Sequence, residues 1–506
     1  MTSRIVITPR TENIAAELKR ASEIGSEVFF TPGRYVLEKP IRLKSGMILR
    51  SSDPMQTRIV NKKDAVFLGW GVKNVIIEGL YFIGGSREHD RAALNFLNAS
   101  NVSISNCLFK NAKAAAILFI RTERGYVVNS KFKANDMGVV ALDDSEILIE
   151  DSEFSEHNDT GAVEISDKSR AIINSSDFLK NKTSIAIMKD SEVAISNSSF
   201  WENSESSIFI TKSRVIIEDS KFKNNRSAVS LTDNGYIEIQ RASFRNHSEK
   251  PAVEINNKSI AVLEDNEFIN NETAIFVLNQ GKAELIKNKI YDSFDVALGV
   301  TANSTCIVDS NEFMNNQSGI VVSKKSVVDI KNCRFSGHTE KAAIIVGDDS
   351  GVFLVECILQ DNVTGILVVK SSHFNVASNK FVKNKKSIMI IDDSKGFVRD
   401  NVISEMEDGI IISKGSKVEI KGNEIERFQI GVLVDKHSEA IITRNKFFCN
   451  DEIPISITDN SRADISNNVF YCKAQIIPIK IDEKSKINKN FSRINKLVYP
   501  SKENDK

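Results

Sequence analysis

Cysteine is scarce, six in 506 residues, and none stands in a CxxC or other metal-ligand spacing, so neither a disulfide scaffold nor a cofactor-binding ligand set is expected. Charge of one sign is missing as well. Lys and Arg number 67 against 67 Asp and Glu, which removes the electrostatic footprint of a nucleic-acid binder. No apolar run approaches the roughly 18 residues that a membrane span needs. The opening "MTSRIVITPRTEN" has no apolar stretch of signal-peptide length, so the expected address is the cytoplasm, or a route of export or a phage particle that needs no signal. With two Trp and seven Tyr there are few ring platforms for sugars, which demotes a carbohydrate partner.

What is present is repetition. By length alone the chain would suggest about three domains, but an apolar column overrides that count: Phe109, Phe132, Phe154, Phe178, Phe200, Phe222, Phe244, Phe268, Ile290, Phe313, Phe335, Leu359, Phe381, Ile403, Ile425, Phe447 and Phe470. Successive steps are 22 to 24 residues. Nine residues before the column, in the 15 coils from Phe154 to Phe470, stands Ser, or Gly at Gly235 and Gly281, and three residues after it Asn recurs in nine coils, from Asn135 to Asn450. Between Ser and Phe the chain alternates polar and apolar, as in "EVAISNSSF", which is the period of a strand.

A repeat of this length with turns of Ser, Asn, Asp and Gly predicts one rung of a parallel β-solenoid of about 17 coils, in which like residues stack. The entry segment, residues 13–52, adds an amphipathic helix, an apolar strand and a Pro-Gly-x-Tyr turn at Pro32 to Tyr35. On these motifs the sequence resembles the right-handed parallel β-helix proteins of the pectin-lyase-like superfamily, over nearly the whole chain. The resemblance implies an N-terminal cap over 1–52, an all-β helix over 53–490 and a C-terminal tail over 491–506. It implies no single activity, because that superfamily holds lyases, hydrolases, epimerases, tailspikes and repeat proteins without known chemistry.

The motifs that would select an enzyme are mostly absent. Of the galacturonan hydrolase signatures only Asp-Asp occurs, at Asp143-Asp144, Asp348-Asp349 and Asp392-Asp393, each time one residue before the Ser column. A catalytic pair has no reason to recur at a turn. Eleven residues before the Phe column, Lys324, Asp348, Lys370, Asp392 and Lys414 alternate in sign, the pattern of a solvated charge ladder that holds register. His157, His247 and His338 fall in the Asn column at four-coil intervals, too far apart to share a metal, and are expected to substitute for its asparagines.

Two candidate sites remain. In the strand before the charge ladder, the outward position is apolar in six successive coils: Val321, Ile345, Leu367, Met389, Ile411 and Leu433. A stripe of this kind marks an interface, with a second copy or another protein, unless the tail "FSRINKLVYPSKENDK" folds over it. The densest titratable patch is Arg87, His89, Asp90 and Arg91, with Arg121 and Glu123 a coil later, and is where catalysis would sit. The outer face of the strand between Ser and Phe, as in Lys417, Glu419 and Lys421, is expected to be ordinarily solvated. Cys333 with Cys357, and Cys449 with Cys472, share columns in adjacent coils within reach of a disulfide. The expected function is therefore a non-catalytic binding or assembly scaffold, the alternative being a lyase, hydrolase or epimerase acting on an acidic polysaccharide.

Overall fold

The computed structural model describes residues 4–61, 63–84, 92–473, 477–487 and 496–498. Apart from one helix, Ile14–Ile24, the described secondary structure is β. Asn13 caps that helix by accepting from the Ala16 amide at 3.0 Å, and Gly25, at φ 65°, ends it in the left-handed conformation that glycine takes without strain. Leu18 and Ala21 form its buried side.

Each turn of chain supplies a longer strand to one sheet and two shorter strands to another, of 22 and 39 strands, so the solenoid makes about 22 turns. Five turns are thus missing from the 17 read off the Phe column. The difference lies at the ends. Tyr35, Ile59 and Phe82 occupy the column before Phe109, Leu497 pairs with Phe470 after it, and the first strand, Arg4–Ile7, adds a turn with no residue in the column. The step from Phe82 to Phe109 exceeds the regular one, which hides the entry turns from a spacing count. Residues 496–498 add a strand beside Val469–Cys472, so this part of the tail is a further coil and not a cover for the stripe.

The chain divides into two compact units, 1–253 and 254–506. In the first, rings from Phe82 to Phe244 stack without interruption at centroid distances of 4.6 to 5.0 Å. In the second the column mixes Phe with Ile290, Leu359, Ile403 and Ile425, all fully buried. Each such side chain contributes about 1.5 to 3 kcal/mol by leaving water.

A corner ladder two residues before the Phe column closes each coil. In the first unit it is built of serine: the Ser152 amide donates to Ser176 Oγ and the Ser176 amide to Ser198 Oγ, both at 3.2 Å. In the second it is built of asparagine, with Asn401 donating from both its amide and its Nδ2 to Asn423 Oδ1 at 3.0 and 2.9 Å. Cys333 and Cys357 replace asparagine here: the Asn311 amide donates to Cys333 Sγ at 3.4 Å, and the Cys333 amide to Cys357 Sγ at 3.3 Å. These two remain free thiols, whereas Cys449 and Cys472 are disulfide-bonded with Cα atoms 4.7 Å apart.

The histidines do stand in the second ladder, three residues past the Phe column. His157 and His338 place Nδ1 2.9 Å from Asn181 Oδ1 and Asn362 Oδ1, and His247 Nδ1 lies 3.0 Å from the Asn225 carbonyl. Burial pushes all three imidazoles down to about 4. They are buried neutral rungs.

Candidate functional site

Asp392 and Asp393 belong to a turn. Both sit at positive φ, 55° and 60°, a conformation that Asp tolerates better than most residues. Asp392 pairs with Lys414 at 3.2 Å, and Asp348 with Lys370 at 2.9 Å, an interaction that raises the Lys370 pKa. The charge ladder read from the sequence is therefore present.

Of the titratable patch near the cap, Arg87, His89, Asp90 and Arg91 lie outside the described residues. Arg121 spans its neighbours in the turn, donating to Asn98 Oδ1 and Asp143 Oδ2 at 2.8 Å each. Glu123 pairs with Arg124 at 3.1 Å. Both ion pairs are exposed and hold surface turns.

The stripe stacks in register, Val321 on Ile345, then Leu367, Met389, Ile411 and Leu433. Five of the six are half-buried, but Ile411 is only 7% exposed. Phe276 and Gly299 continue the column upstream, with Gly299 leaving room for the Phe276 ring. Ser456 ends it.

A third surface stands on the longer-strand sheet of the 254–506 unit, on the face expected to be ordinarily solvated. A groove of 1240 Å³ runs across the strands from Gly351 to Ile487. Beneath it the inward column runs Phe374, Gly396, Val418, Ala440 and Ala463, and an added Cβ at Gly396 would collide with the Phe374 carbonyl. Phe353 and Phe397 stand on the groove with 49% and 39% of their surface in solvent. The Arg399 guanidinium covers the Phe397 ring at 4.1 Å, a cation–π contact that fixes both side chains. Lys395, Lys417 and Arg462 line one flank, and Lys417 pairs with Glu439 at 2.9 Å. Asn375 Oδ1 and Arg399 Nε are shielded from water and have no hydrogen-bond partner among the described residues. Lys417, Glu419 and Lys421 do reach solvent, but the coils on either side of them carry exposed Phe397 and Ile441. The signal was available at a fixed offset, six residues before the Phe column, where Phe353 and Phe397 occur.

Residues 115–250 and 206–362 match the family described as the right-handed β-helix region, and residues 340–489 match that of the periplasmic copper-binding protein NosD. No curated protein matches the chain. Among solved structures, an alginate lyase of family PL6 is 10% identical over 98% of this chain and 100% of its own, at a TM-score of 0.33. The surface protein and adhesin PfbA of Streptococcus pneumoniae is 14% identical over 75% of this chain and 100% of its own, at 0.30. The pre-mature gene product 12 of bacteriophage phi29 is 10% identical over 97% and 73%, at 0.37.

The match to a periplasmic family overturns the expected cytoplasmic address and points outside the cytoplasm. That expectation rested on the first residues of the sequence, which carry no information about where the chain works. The bonded Cys449–Cys472 pair agrees with an oxidising compartment. Copper is a different matter. It is held by converging His, Cys and Met side chains, and no group of three or more His, Cys, Asp or Glu among the described residues is placed to hold a metal. His373 and His437 are exposed on separate strands and turns, so the residues of 340–489 do not fit a copper site. No helix among the described residues is long and apolar enough to cross a membrane. With parallel strands stacked coil on coil and the family match along 115–362, the chain is a right-handed parallel β-helix repeat protein.

Proposed function

We propose that the chain binds a polysaccharide along the groove of its 254–506 unit. The observation that carries this reading is the joint presence of two solvent-facing rings, Phe353 and Phe397, with cations and unpartnered polar atoms in one long groove. Pyranose rings stack their apolar faces on aromatic rings, while hydroxyls and carboxylates take hydrogen bonds from Lys, Arg and Asn. The same groove holds Glu419, Glu439 and Asp464, groups that glycan cleavage would use, so capture and cleavage are both readouts. The test is retention and product analysis on a panel of acidic and neutral polysaccharides, with wild type beside Phe397→Ala. Retention lost in the variant supports the reading, and a panel without retention or products overturns it.

A second reading concerns the stripe from Val321 to Leu433, whose strict register over six coils supports a contact with another copy or another protein. Because Ile411 is buried, the informative substitution is Met389→Glu on the half-buried part. A multimer in light scattering that falls to the 56.3 kDa chain mass in Met389→Glu supports it, and an unchanged mass in both proteins counts against self-association.

A further inference from the structure

The groove has a period of two coils. In the 254–506 unit the central outward position of the longer strands is apolar at Val262, Ile307, Phe353, Phe397 and Ile441. The coil between each of these is polar, in the order Glu284, Asp329, Asn375, Glu419 and Asp464. The strand register places all ten in one column. Ile307, Phe353, Phe397 and Ile441 are all exposed. In the 1–253 unit the column runs Ile76, Ser103, Tyr126, Leu148, Ile172, Ala194, Ile216 and Glu238, so four apolar coils from Leu148 to Ile216 follow one another without alternation.

Charge follows the same period. Two residues earlier on the same strands, the five polar coils carry Lys282, Val327, His373, Lys417 and Arg462, of which Lys282, Lys417 and Arg462 are cations beside the acceptors Glu284, Glu419 and Asp464. The apolar coils carry Gly351, Lys395 and Glu439 at that place, a set with no consistent sign. Three of the five polar coils thus offer a cation and an acceptor side by side, and the coils between them an apolar platform. Two strand spacings are about 9.6 Å, the scale of a disaccharide. A polymer carrying a carboxylate on every sugar would set half of its charges on Phe353, Phe397 and Ile441. Lys417 already pairs with Glu439, and a neutral polymer would bring no anionic partner to Arg462.

We infer that the groove is matched to a linear alternating polysaccharide, with one anionic sugar in each disaccharide lying on the cation–acceptor coils and one uncharged sugar lying on the apolar coils. This inference rests on the polysaccharide reading of the groove and adds the spacing of charge along the ligand.

The experiment is titration calorimetry of the full chain with three length-matched probes: hyaluronan oligosaccharides, charged on every second sugar; oligogalacturonates, charged on every sugar; and cello-oligosaccharides, uncharged. A second protein, the double variant Asn375→Phe/Phe397→Asn, inverts one period at constant composition. Hyaluronan is expected to bind at least about tenfold more tightly than either other probe, and the double variant is expected to lose that preference while keeping the wild-type circular dichroism spectrum. Equal or tighter binding of oligogalacturonate, or a preference unchanged in the double variant, overturns the alternation and leaves the polysaccharide reading standing. Binding of none of the three overturns the inference together with the reading beneath it.

Discussion

The two units close the same corner with different chemistry. Ser176 accepts one hydrogen bond, from the Ser152 amide, and donates one, to the Asn174 carbonyl two residues back. Asn423 accepts from both the amide and the Nδ2 of Asn401, and its own Nδ2 reaches Asn445 Oδ1 and the Val398 carbonyl at 3.0 and 2.9 Å. A hydroxyl supports its neighbour, whereas a carboxamide joins three coils. Val398 lies in the strand Lys395–Arg399 that carries Phe397, so the amide ladder braces the strands of the groove. The unit with the grooved face has the more heavily bonded corner, and the unit with the serine corner relies on its unbroken phenylalanine stack. On the polysaccharide reading proposed above, the asparagine corner would order the binding surface before the ligand arrives and so lower the cost of capture.

Acid should separate the units most strongly. A folded pKa near 4 against an ordinary 6.5 means that the unfolded chain takes up the proton first as pH falls. The stability from each neutral imidazole is full above about 6.5 and is lost as pH drops toward 4, on the order of 3 kcal/mol per histidine. Two of the three, His157 and His247, lie in the first unit and His338 in the second. The triple variant with Asn at all three positions is expected to flatten denaturant midpoints between pH 6.5 and 4, with restoration at His157 and His247 returning more of the slope than restoration at His338.

The ladders themselves give the next effect. Asn423→Ala leaves the Asn401 amide and the Val398 carbonyl without partners and should cost about 3 kcal/mol, against about 1 kcal/mol for Ser176→Ala. Equal losses in urea unfolding would remove the distinction drawn between the two corners. Reducing Cys449–Cys472, which closes a loop of 23 residues, is expected to lower stability by about 3 kcal/mol in the second unit alone; unfolding with and without reductant, followed in the Cys449→Ser/Cys472→Ser variant, checks it. The smallest effect is on the surface. Phe397→Ala should weaken polysaccharide retention about tenfold, roughly 1.4 kcal/mol, while Ile172→Ala on the corresponding face of the first unit leaves it unchanged.

Much of this architecture was legible in the sequence. Phenylalanine, serine and asparagine recur because parallel coils stack each side chain on its counterpart, so a spacing count along the chain is a contact map. The count failed at the entry turns, where Tyr35 and Ile59 fill the column and the step from Phe82 is long. The groove escaped for another reason. Lys417, Glu419 and Lys421, or Arg462, Asp464 and Ser466, are both polar members of an alternation, and a strand judged from such coils alone looks uniformly solvated. The serine corner and the asparagine corner were equally hidden, since the second ladder, three residues past the Phe column, drew the asparagine count to itself.

The two-coil spacing of Phe353, Asn375, Phe397 and Glu419 imposes a parity rule on how such a chain can grow. Inserting or deleting one coil keeps every inward side chain on its counterpart, so the core would hardly register the change. The same event throws everything downstream on the groove half a period out of phase, setting rings where acceptors belong. Length can drift by single coils where only packing is at stake, as from Leu148 to Ile216 in the first unit, but the grooved unit can change only by pairs.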